Sequence, residues 1–99
     1  NEAYPLPSHI GFRLALARSL RGKGAISDTS GNHEEAIELF SQARTTYQEC
    51  ESSVGVLRTS ISLGRASYAL GAYRKALLYF EEALCRALFF VHLIYLWHQ

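Results

Sequence analysis

Gly31-Asn32-His33-Glu34-Glu35-Ala36-Ile37-Glu38-Leu39-Phe40-Ser41-Gln42-Ala43 returns 40 residues later as Gly71-Ala72-Tyr73-Arg74-Lys75-Ala76-Leu77-Leu78-Tyr79-Phe80-Glu81-Glu82-Ala83. Gly31/Gly71, Ala36/Ala76, Phe40/Phe80 and Ala43/Ala83 are identical, and Ile37/Leu77 and His33/Tyr73 are like for like. A fixed internal period of this size marks stacked supersecondary units, none of which can bury its apolar face alone. Such arrays present a surface to another molecule, so the period predicts a class of function together with a class of fold.

Around the first copy, Ala36, Phe40, Ala43 and Tyr47 recur at helical spacing and predict a helix from about Asn32 to Glu49. Asn32 is placed to cap it with Glu35 at the third position, a capping-box arrangement, and Glu34, Glu35 and Glu38 suit the helix dipole. Ser52 and Ser53 mark the next boundary, before a helix from about Val54 to Leu70. Gly71 breaks the chain, and a fourth helix runs from near Ala72 almost to the end. Upstream, Pro5 and Pro7 confine irregular chain to the start, and Ser8 is a candidate cap for a helix reaching about Leu20. That helix carries Ile10, Leu14 and Ala17, with Phe12, Leu16 and Leu20 beside them. Arg21 to Asn32, with Gly22, Gly24, Gly31, Ser27, Asp28 and Ser30, reads as a loop by composition. Short connections fold each helix against its predecessor, so the fold class is all-α: antiparallel helix hairpins, stacked. Residues 1–99 form a single domain, with repeat one at about 8–50 and repeat two at about 54–97.

The bulk properties narrow the function. The chain has 99 residues, 48% of them hydrophobic and 19% charged, ordinary values for a folded domain with a modest core. A net charge of +1 speaks against a nucleic-acid partner, which a strong basic excess would signal. Cys50 and Cys85 are too few for a disulfide framework and match no metal spacing, so they read as reduced thiols of an intracellular, cytoplasmic protein. The chain starts at Asn1 and contains no methionine, which points to a piece of a longer protein. No signal peptide is visible in Asn1 to Pro7.

The pattern Gly-x-Tyr-x-x-Ala-[Ile/Leu]-x-x-[Phe/Tyr]-x-x-Ala resembles the second helix of a tetratricopeptide repeat with its preceding glycine turn. Leu63-Gly64 stands where that family has the Leu-Gly pair of its first helix, so the resemblance covers about Leu57 to Cys85. In the first copy it covers Gly31 to Ala43; upstream, Leu16-Ala17-Arg18 aligns with Leu63-Gly64-Arg65 if the intervening turn carries extra residues around Gly22 to Ser30. The 40-residue period exceeds the family's usual ~34 and is similar to its longer-helix versions in signalling scaffolds and large regulatory proteins. The resemblance implies a short right-handed α-solenoid of two repeats and four helices. It also implies a concave face, lined by first helices, along which a partner peptide lies.

The charges are sorted accordingly. First-helix segments carry Arg13, Arg18, Arg21, Arg58 and Arg65 and no acid, whereas second-helix segments hold Glu34, Glu35, Glu38, Glu49, Glu81 and Glu82, offset in part by Arg44, Arg74, Lys75 and Arg86. Arg58, Ile61, Arg65 and Tyr68 form one stripe on the third helix, and the alignment puts Arg18 in repeat one at the place of Arg65. Guanidinium groups one repeat apart suit a carboxylate or acidic peptide through bidentate donation, with Tyr68 as an aromatic contact. The candidate partner-binding residues are therefore Arg18, Arg58, Ile61, Arg65 and Tyr68. The alternative is that the arginines are solvated or pair with neighbouring glutamates. Ile61 and Ser62 stand where the family's clamp for C-terminal acidic peptides needs other residues, so that ligand is not expected.

Leu84 to Trp97 is apolar nearly all round, and a lone surface helix would expose much of it. Its uninterrupted part is short of the ~20 residues of a membrane span. Phe89, Phe90, Leu93, Ile94 and Trp97 are thus a candidate assembly surface, covered by a further repeat or by a second copy of the chain. Binding at a membrane surface is the lesser alternative, since the basic flank of such helices is missing.

No catalytic, cofactor or metal site is expected. His33-Glu34-Glu35-Ala36-Ile37 begins like the zinc motif HExxH, but Ile37 replaces the second histidine, and packing is the better role for His33. Gly22-Lys23-Gly24 lacks the GxxxxGK[ST] pattern and the preceding strand of a phosphate loop. No nucleophile–base–acid set can be assembled.

Overall fold

The computed structural model describes residues 8–99. They form four helices: α1 (Ser8–Thr29), α2 (His33–Glu49), α3 (Ser53–Ala69) and α4 (Tyr73–Trp97). Pro5, Pro7 and the side chain of Ser8, with the roles expected of them, lie outside the described residues.

The three connections share one backbone design. After α1, the Gly31 amide donates to Asp28 O at 3.1 Å and the Asn32 amide to Ser27 O at 2.8 Å. After α2 the pair is Glu51 to Gln48 (3.0 Å) and Ser52 to Tyr47 (2.9 Å); after α3 it is Gly71 to Tyr68 (2.9 Å) and Ala72 to Ser67 (2.9 Å). This is the Schellman closure, which needs a left-handed residue just past the helix. Gly31 (φ 90°), Glu51 (φ 56°) and Gly71 (φ 82°) supply it. These residues are evenly spaced, so the 40-residue period is two units of a 17-residue helix plus a three-residue turn.

One expectation is overturned. Gly22 and Gly24 do not belong to a loop, because α1 continues through them to Thr29. Gly24 is needed for close packing. A Cβ there would lie 2.7 Å from Cε1 of Phe40, and at Gly64 a Cβ would lie 2.5 Å from Cε1 of Phe80. Each repeat thus seats the phenylalanine of its second helix against a glycine of its first. Gly24 is the counterpart of Gly64, Lys23-Gly24 aligns with Leu63-Gly64 at the common spacing, and the turn has no extra residues. The alignment of Leu16-Ala17-Arg18 with Leu63-Gly64-Arg65 is out by two helical turns.

The core has two parts. Ala17, Ala43, Tyr47 and Val56 are buried together, flanked by Leu14 and Leu20. Ala36, Phe40, Leu63 and Ala66 form the second cluster, flanked by Ile37 and Tyr79. The first joins α2 to α1 and α3 and the second joins α2 to α3, so α2 is the central element. Phe40 is only 2% exposed because α3 covers it, whereas its counterpart Phe80 is 37% exposed.

The expected capping box at Asn32 does not form. Asn32 Nδ2 donates to Glu35 Oε1 at 3.4 Å, and the Asn32 side chain accepts no backbone amide. Ser52 does cap α3, its Oγ accepting from the Gly55 amide at 3.2 Å. Asp28 falls inside α1 rather than in a loop, and its Oδ1 lies 2.6 Å from His33 Nδ1. His33 is therefore half-buried as a polar tie between α1 and α2.

Candidate functional site

α1 and α3 touch, while among the described residues α2 and α4 do not approach at the backbone. The stack therefore curves toward the α1/α3 side. Along that side the common register pairs Arg18 with Arg58, Arg21 with Ile61, Ala25 with Arg65 and Asp28 with Tyr68. Arg18 is thus the repeat-one counterpart of Arg58, not of Arg65.

A cleft of about 280 Å³ opens between the two first helices, lined by Arg18 and Arg21 from α1 and by Arg58 from α3. Tyr47 of α2 and Gly55 of α3 close its back. The Tyr47 ring lies directly over the Cα of Gly55, so any side chain there would displace it. The Arg21 Nε atom is buried and has no hydrogen-bond partner. A buried guanidinium donor without an acceptor is costly, which makes the cleft receptive to an oxygen anion.

The neighbouring carboxylates do not answer these arginines. Glu49 pairs with Arg13, and Glu82 pairs with Arg44 and, at 3.6 Å, with Arg86 Nε. Asp28 is taken by His33. Among the described residues Arg18, Arg21, Arg58 and Arg65 have no ion-pair partner. Of the five first-helix arginines, only Arg13 follows the reading in which neighbouring glutamates neutralise them.

The remaining candidates share the α3 face but lie outside the cleft. Arg65 is two turns beyond Arg58, about 10 Å along the axis. Ile61 lies between them, and the exposed Tyr68 sets its ring 5.2 Å from that of Tyr73. The face is therefore an elongated strip, with three cations clustered at one end and an aromatic pair at the other. Arg21 was absent from the candidate set. The register that equates Gly24 with Gly64 was the signal for placing α1 against α3, but no spacing along α1 marks Arg21 as the residue whose Nε is buried.

Phe89, Phe90, Leu93, Ile94 and Trp97 occupy the last three turns of α4. Phe90 is half-buried, the other four are exposed, and Trp97 reaches 85% exposure. Phe90, Leu93, Ile94 and Trp97 line a shallow apolar hollow of about 590 Å³. No helix of the described residues is long and apolar enough to cross a membrane, and among them no group of side chains is arranged to hold a metal ion.

A family model of the tetratricopeptide repeat matches residues 15–86, from the second turn of α1 to the middle of α4. No curated protein and no solved structure matches the chain. With all four helices reached by the matched span and the helix–turn geometry observed in both repeats, the chain belongs to the tetratricopeptide-repeat family.

Proposed function

We propose that the chain is a protein–protein interaction module that receives an extended or acidic peptide of a partner protein along the α1/α3 strip. The family suggests a protein-interaction role and no catalysis. The observation that carries the finer reading is the trio Arg18, Arg21 and Arg58, unpaired around one cleft. A carboxylate of the peptide enters the cleft, and the following residues run past Ile61 and Arg65 toward Tyr68. Each exposed arginine contributes about 1 kcal/mol to an anionic ligand. Reversing Arg18 and Arg58 to glutamate therefore weakens binding by roughly 30-fold or more. The free thiols Cys50 and Cys85, the latter exposed, support placing this module in the reducing cytoplasm.

Fluorescence anisotropy of an acidic-peptide panel, at low and physiological salt, tests the reading. Saturable binding that weakens with salt and is removed by Arg18→Glu with Arg58→Glu supports it. Equal affinity for the reversed protein would overturn it.

A second reading rests on the exposed end of α4. There the chain is a structural section of a longer multidomain regulatory protein, and Phe89, Phe90, Leu93, Ile94 and Trp97 are its assembly surface. In that case Phe90→Glu with Leu93→Glu changes the mass in solution and leaves peptide binding untouched.

A further inference from the structure

The outer side of α4 carries a second apolar surface. Tyr73, Leu77, Phe80, Leu84, Leu88, Val91 and Tyr95 follow one another at spacings of 4, 3, 4, 4, 3 and 4. These are two 11-residue repeats, which hold a seam on one side of a nearly straight helix. All seven side chains are exposed, from 37% at Phe80 to 63% at Tyr73. About a quarter turn round the helix, Ala76 and Ala83 are buried against α3.

We infer that this stripe pairs with the same stripe of a second copy of the chain, as an antiparallel α4–α4 contact. Three observations separate this occupant from the two others the fold allows.

The first is that α4 is more apolar here than α2, its counterpart. Where α2 has Arg44 and Gln48, α4 has Leu84 and Leu88. Arg44 pairs with Glu82 and, through Nε, reaches Ser60 Oγ at 3.4 Å. The polar contact that α3 makes with α2 through Arg44 therefore has no counterpart on α4.

The second observation is that the even spacing of the turns places the next left-handed residue at position 91. Val91 is there instead, and α4 runs through it to Trp97. The stripe consequently extends about 33 Å. That is longer than the 17-residue α2 or α3, and of the four helices only α4, with 25 residues, and α1, with 22, match it.

The third is that head-to-tail stacking of copies would bring α1 of one onto α4 of another. Lys23 would then take the place of Leu63, which is 1% exposed against Phe40. Burying an unpaired ammonium there is prohibitive.

A two-fold axis at Leu84 sets Tyr73 opposite the partner's Tyr95, Leu77 opposite the partner's Val91, and Phe80 opposite the partner's Leu88. Such an isologous contact closes at two copies. Seven side chains of this exposure bury about 700 Å² per copy, within the range of a stable standard-size interface. The stripe lies away from both the Arg18/Arg58 cleft and the Phe90/Leu93/Trp97 hollow, so its test is separable from theirs.

Sedimentation velocity of the full chain at tens to hundreds of micromolar reads the result. The expected species has twice the 11.1 kDa chain mass. Leu77→Glu with Leu84→Glu reduces it to the single-chain mass with helical circular dichroism retained, while Phe90→Glu with Leu93→Glu leaves it double. Leu84→Cys, in a chain also carrying Cys50→Ser and Cys85→Ser, forms a covalent dimer on mild oxidation. Arg74→Cys in the same background does not. A single-chain mass at every concentration would overturn the inference, as would a ladder of larger species, the mark of head-to-tail stacking. So would a double mass that survives the stripe variant and is lost in the hollow variant.

Discussion

Replacing Gly24 with alanine adds one methyl group to α1, and its effect can be worked out from two opposing contributions. Alanine in a helix interior is favoured over glycine by about 1 kcal/mol. Against that, the new Cβ would lie 2.7 and 2.8 Å from Cε1 and Cδ1 of Phe40. The ring is buried among α1, α2 and α3 and has nowhere to swing, so overpacking of this kind costs about 2–3 kcal/mol. The net expectation is a loss of about 1–2 kcal/mol, which for a domain of this size lowers Tm by roughly 5–15 °C. Gly22 supplies the control. It lies in the same helix and is exposed, and a Cβ added there meets nothing within 4 Å, so Gly22→Ala should stabilise by about 0.5–1 kcal/mol. Urea titration followed by circular dichroism measures both variants against the unaltered chain. Opposite signs at two positions two residues apart are expected only if α1 is continuous and Gly24 is the slot for Phe40. A neutral or destabilising Gly22→Ala together with a harmless Gly24→Ala would refute that reasoning and restore the loop.

Other perturbations address the turns. Glu51 holds a left-handed φ of 56° in a position that Gly31 and Gly71 fill in the other two turns, so Glu51→Gly should raise stability by about 0.5–1 kcal/mol in the same urea assay. Ser52→Ala removes the cap oxygen that accepts from the Gly55 amide and should cost about 1 kcal/mol. Asn32→Ala, whose side chain reaches only Glu35, should cost a few tenths at most, roughly the value of an exposed side-chain pair.

The sequence locates α2, α3 and α4 to within about a residue because the period, the apolar faces and Ser52-Ser53 all agree on them. It misplaces the end of α1 because a glycine does not announce which of its two properties is in use. Gly31 and Gly71 serve a positive φ, whereas Gly24 and Gly64 serve the absence of a Cβ. In composition the two kinds look alike, and three glycines within ten residues read as a loop. The same confusion moved Arg18 by two turns onto Arg65, although its partner across the cleft is Arg58. Nothing in Glu51 signals its turn conformation, which the α2–α3 packing imposes. The arginine stripe of α3 was readable from helical spacing alone. The role of Arg21 was not, since it lies in a cleft shared with Tyr47 of α2 and Arg58 of α3, a relation between helices that periodicity along one cannot express.

The central claim is that the Arg18/Arg21/Arg58 cleft and the α3 strip receive the partner. It is tested most directly by titrating the ¹⁵N-labelled chain with an acidic peptide while recording backbone amide and arginine Nε–Hε resonances. The account predicts that the Arg21 Nε–Hε signal shifts first and furthest, with the amides of Arg18, Gly55 and Arg58 following and those of Phe90 to Trp97 unmoved. Shifts confined to the end of α4, or none at saturating peptide, would contradict it.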